Sequence, residues 1–62
     1  MSYTVYYRLG SGDYDRAIYR PPNEKKAKQY AREIYNEDKR RDVLVKDEDG
    51  KICFKLSSMG GA

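Results

Sequence analysis

Residues 23–38, NEKKAKQYAREIYNED, decide the fold. Ala27, Tyr30, Ala31, Ile34 and Tyr35 fall at i, i+3, i+4, i+7 and i+8, the spacing that draws one apolar stripe down a helix of 3.6 residues per turn. Asn23 suits the N-cap, because its side-chain oxygen accepts a backbone N–H that the first turn leaves unpaired. Glu24 suits the positive end of the helix dipole, and Lys39, Arg40 and Arg41 suit its negative end. The pattern predicts a helix that begins at Glu24 and fades by Asp38 or Lys39, where the stripe stops. A single apolar stripe cannot stand alone in water, so the flanking residues must supply a surface beneath it.

Upstream, Tyr3, Val5, Tyr7 and Leu9 alternate with Thr4, Tyr6 and Arg8, the period of two that marks a strand rich in β-branched and aromatic residues. Gly10-Ser11-Gly12-Asp13 then suits a short hairpin connection. A second strand is expected from Tyr14 to about Arg20, with Ala17 and Tyr19 turned inward, ended by Pro21-Pro22 because proline cannot donate to a ladder. Downstream, Val43-Leu44-Val45 opens a third strand. Asp47-Glu48-Asp49-Gly50 supplies a turn with glycine at the left-handed position, and Ile52-Cys53-Phe54-Lys55-Leu56 returns as a fourth. Ile52, Phe54 and Leu56 are expected to join Val43 and Val45 against the helix, leaving Leu44, Lys46, Cys53 and Lys55 on the other side.

The sum is an α+β domain of order ββαββ: one helix packed on a four-stranded, mainly antiparallel sheet whose second face is open. It is expected to span residues 1–56 as a single domain, with 57–62 as a flexible tail. Strand order is not readable from the chain.

Composition bounds the function. The 62 residues hold seven Tyr and 13 Lys plus Arg but no His, no Trp and one Cys, with a formal net charge of +3. A chain this short buries only ~60% of the surface its unfolded form exposes, so an enclosed ligand pocket would empty the core. One Cys and no His argue against structural zinc and rule out an internal disulfide. Asp47, Asp49 and Gly50 resemble part of a calcium loop, but Val45 and Leu56 stand where ligands are required. Cys53 has no evident activating base, so no catalytic residue, metal or cofactor is expected. No apolar run approaches the ~20 residues that span a bilayer. The opening MSYTVYYRLG lacks the basic flank and long apolar stretch of a secretory leader, so a cytoplasmic protein is expected.

The strings YTV near the start, AREIY at 31–35 and VLVKDEDGKI at 43–52 resemble a family of short bacterial and phage-borne ββαββ proteins of unknown function. The resemblance implies the fold, and no functional residue is carried over from it. The first hairpin here is far richer in Tyr and Arg than the family pattern.

The residues expected to bind are those on the uncovered sheet face and the second strand: Tyr6, Arg8, Tyr14, Arg16, Arg20, Leu44, Lys46 and Lys55. Tyr and Arg are enriched at protein-interface hot spots, while aromatics beside cations also suit single-stranded nucleic acid. The helix cations Lys25, Lys28, Arg32 and Lys39 are interrupted by Glu33 and Glu37 and read as a solvated face. The expectation is a small non-enzymatic binding module that occludes a surface of a protein partner, as an inhibitor or regulator of a larger host or defence complex carried by a phage or mobile element. A nucleic-acid binder and a homodimer closed through Tyr6 and Leu44 are the alternatives.

Overall fold

The structure is a computed structural model that describes residues 2–57. Its elements are β1 (Thr4–Leu9), β2 (Asp15–Arg16), α1 (Glu24–Glu37), β3 (Arg41–Lys46) and β4 (Ile52–Leu56). The four strands form one antiparallel sheet in the order β2-β1-β3-β4, and α1 packs on one side of it. The ββαββ arrangement is therefore present, with the two hairpins joined through their inner strands. Apart from Ser57, the expected tail lies outside the described residues.

The helix begins where its cap dictates: Lys26 N donates to Asn23 Oδ1 at 2.8 Å. Ala27, Ala31 and Ile34 are buried, meeting Val5, Val43, Val45 and Ala17 in the core, with Tyr3, Tyr7, Tyr30, Tyr35, Phe54 and Leu56 at its rim. Alanine at two successive turns lets the helix lie close to the valines beneath. At the far end, Arg41 Nη1 donates to the Ile34 carbonyl at 3.1 Å and to Glu37 Oε2 at 3.2 Å. A cation supplied by the next strand thus satisfies a terminal carbonyl and the negative end of the dipole. Asp38 stops the helix in extended backbone, and its carboxylate accepts from Arg40 N, Nε and Nη2, each at 3.0 Å.

Two departures from simple alternation shape the sheet. The expected second strand, Tyr14 to Arg20, shrinks to Asp15–Arg16. Ala17 N still bonds the Val5 carbonyl at 2.9 Å, but Tyr3 N bonds Pro21 rather than residue 19, at 3.0 Å. Two extra residues are accommodated between those bonds, so Ile18, Tyr19 and Arg20 leave the ladder as a knuckle. Ala17 and Pro21 are buried on either side of it. Tyr19, expected inward, is 45% exposed and meets Tyr30 edge-on, with ring centroids 4.9 Å apart.

The second departure is a bulge in β4. Val43, Leu44 and Val45 pair with Leu56, Lys55 and Phe54, yet Lys46 pairs with Ile52, leaving Cys53 as the extra residue. The turn explains it. Asp47 Oδ1 accepts from Asp49 N and Lys51 N at 2.9 and 3.0 Å, Asp47 N donates to the Lys51 carbonyl at 2.9 Å, and Gly50 takes φ 82°. This closure sets a register one residue out of step with Val45 opposite Phe54, and the bulge absorbs the difference. Ile52 and Cys53 consequently exchange sides relative to the expectation. Cys53 packs against the core, and Ile52 is 53% exposed beside Lys46.

Candidate functional site

The ladder fixes what the helix-free face presents. Opposed residues across an antiparallel pair point to the same side, so one row reads Arg16, Tyr6, Leu44 and Lys55 across all four strands. A flanking row holds Thr4, Lys46 and Ile52, and the other holds Arg8 and Asp42. Leu44 is only 6% exposed although it lies outside the core under the helix. It anchors a second, small apolar layer between Tyr6 and Lys55.

Cations cover the rings on this face. Lys46 Nζ stands 5.0 Å from the centre of the Tyr6 ring, and the Arg8 guanidinium stands 4.6 Å from that of Tyr14. Arg8 also pairs with Asp42 at 3.1 Å and reaches the Gly12 carbonyl at 3.4 Å. Its charge is largely committed within the fold. Among the described residues Arg16, Lys46 and Lys55 make no ion pair.

Of the residues expected to bind, the structure brings Tyr6, Arg8, Arg16, Leu44, Lys46 and Lys55 onto one face by register, with Tyr14 drawn in under Arg8. Arg20 is not among them, because it sits in the knuckle between β2 and α1. Asp42 and Ile52 belong to the face and were missed. Asp42 was legible, since it lies two residues before Leu44 on the same strand; Ile52 was not, because the bulge that turns it outward arises from the turn. The helix cations also differ from a purely solvated face: Lys28 and Arg32 stand 5.7 and 5.6 Å from the centre of the Phe54 ring.

Cys53 is chemically quiet. Burial first, then the nearby Glu24 and Asp47 carboxylates, push its thiol pKa above the ordinary value, and Sγ lies 3.6 Å from the Val45 carbonyl. The neutral thiol is therefore the form present near neutral pH. Among the described residues, no group of three or more His, Cys, Asp or Glu is placed to hold a metal ion, and no helix is long and apolar enough to cross a membrane. No family model, curated protein or solved structure matches this chain. The functional reading therefore rests on the geometry of the sheet face.

Proposed function

We propose that the protein is a non-catalytic binding module whose helix-free sheet face occupies an acidic surface of a protein partner. The observation that carries this reading is the row Arg16, Tyr6, Leu44 and Lys55, with Lys46 beside it: a shielded apolar centre flanked by aromatic rings and cations. Interfaces concentrate binding energy in such centres, where Tyr and Arg serve as anchors and charges at the rim set orientation and association rate. Occlusion suits a domain this small, whose flat face has more area than any pocket it could enclose. A larger host or defence complex is the target we propose.

The cations over Tyr6 and Tyr14 favour protein over nucleic acid. A base stacking on either ring competes with a cation–π contact of roughly 0.5–1 kcal/mol, out of a stacking gain of ~1–3 kcal/mol per base. Asp42 also neutralises the cation nearest Tyr14. Capture from the native host with three baits tests the proposal: the wild type, Lys46→Glu with Lys55→Glu, and a helix-surface control, Lys25→Glu. The expected result is one partner held by the wild type and the control and lost from the double variant. Equal capture by all three, or mobility shifts of nucleic-acid probes that persist at moderate salt, would overturn it.

A further inference from the structure

The knuckle at Ile18–Arg20 is the most unusual surface on the molecule. Ile18 is 99% exposed, on a loop held at both ends by backbone bonds from Ala17 to Val5 and from Tyr3 to Pro21. Beside it, between the truncated edge of the sheet and the second half of α1, lies a solvent-open groove of about 300 Å³ with Tyr7, Ala17, Tyr30 and Ile34 among its lining residues. The groove follows from the fold. β2 is two residues long and Ala17 is small, so the sheet does not fill the space under Tyr30 and Ile34.

The charges around knuckle and groove are complementary. Four charged residues line the groove: Arg16, Glu33, Glu37 and Arg41. Glu37 and Arg41 pair with each other at 3.2 Å, which leaves Glu33 as the groove's acid without an ion pair among the described residues and Arg16 on the sheet side. Arg20, on the knuckle, also has no ion-pair partner among the described residues. Ile18, itself one wall of the groove, therefore stands beside the basic Arg20, while the groove combines apolar side chains with charged ones, Glu33 among them.

A surface that carries both a projection and its complement meets its own copy about a two-fold axis, with each contact made twice. We propose that this edge is a dimer interface in which Ile18 of each copy enters the groove of the other and Arg20 pairs with Glu33 across the axis. The interface lies at the β2 edge and the helix and meets the helix-free face only at Arg16, so Tyr6, Leu44, Lys46 and Lys55 stay free. A dimer would present two such faces to a target, and the proposal stands or falls independently of what that face binds.

Sedimentation equilibrium from micromolar to millimolar concentration tests it, with circular dichroism as the check on folding. All three side chains are exposed, so the variants retain the wild-type spectrum. The wild type is expected to dimerise and Ile18→Asp to remain monomeric throughout. Arg20→Glu and Glu33→Arg should each weaken association by about tenfold or more, and the doubly exchanged chain should recover to within about tenfold of the wild type. A wild type that stays monomeric at millimolar concentration overturns the proposal. So does a dimer indifferent to Ile18→Asp, or a double exchange that recovers nothing.

Discussion

Arg8 on β1 and Asp42 on β3 stand opposite each other in the ladder and close a 3.1 Å ion pair on the helix-free face. Their side chains are 33% and 20% exposed, so solvent screens the pair only in part. The same guanidinium covers Tyr14 and reaches the Gly12 carbonyl, tying the first hairpin to the centre of the sheet. Arg8→Ala is expected to cost about 1 kcal/mol. Urea unfolding measures the loss, and faster amide exchange at residues 10–14 would place it in the hairpin.

Tyr6 should matter more to binding than to folding. Its ring lies on the helix-free face, so Tyr6→Ala removes only cross-strand contacts of about 0.2–1 kcal/mol. The melting temperature should drop by no more than about 8 °C, while capture of the partner fails. A variant that melts near room temperature would show that the ring holds up the core.

Ile34 is the opposite case. It is 7% exposed and is the largest buried apolar side chain on α1, and Ile34→Ala should cost about 2–5 kcal/mol. Native domains are stable by only about 5–15 kcal/mol, and one this small sits at the lower end. The variant is expected to be largely unfolded at 37 °C, read as loss of the helical signal in circular dichroism.

Asp38 gives stability a dependence on acid. Hydrogen bonds from the Arg40 guanidinium and backbone N–H hold its carboxyl at about 2, below the ordinary 3.8. A depressed folded-state value means the unfolded chain takes up the proton first. The contribution is complete above about pH 4 and is lost as pH falls through about 2. Asp38→Asn should therefore melt below the wild type at pH 6, and the gap should narrow steadily between pH 4 and pH 2. A gap that stays constant with pH would assign the effect to helix termination rather than to charge.

Gly50 sits at φ 82° with no heavy atom within 4 Å of where a Cβ would be. Gly50→Ala is penalised by backbone conformation alone, at about 1–2 kcal/mol. Gly50→Asn should recover part of that loss, because asparagine tolerates the left-handed region better. Thermal melts of the two variants provide the comparison.

Much of this arrangement was legible in the chain. Ala27, Ala31 and Ile34 lie where the helical period puts them, Asn23 caps, and Val5, Val43 and Val45 face the helix as strand alternation requires. Alternation fails at two places, for separate reasons. At Cys53, the bonds of Asp47 to Lys51 and the pairing of Val45 with Phe54 each favour a register, and the two differ by one residue. At Ile18–Arg20, the Pro21 carbonyl takes the place that residue 19 would occupy opposite Tyr3. Neither conflict is visible in a pattern of apolar and polar residues, because both arise between segments rather than within one. The face survived these errors in outline because its central row lies on the regular pairings; only Ile52, Cys53 and Arg20 changed places.

The detour at Ile18–Arg20 has a consequence for solubility. A straight border of free amides is a template on which further chains can line up without limit, as in amyloid. Here one border is cut to two residues and then deflected, so recruitment through backbone pairing is blocked on that flank. Growth by strand addition could use only β4, where two molecules meeting edge to edge exhaust the available sites. Copies joined only by backbone pairing along β4 therefore stop at pairs.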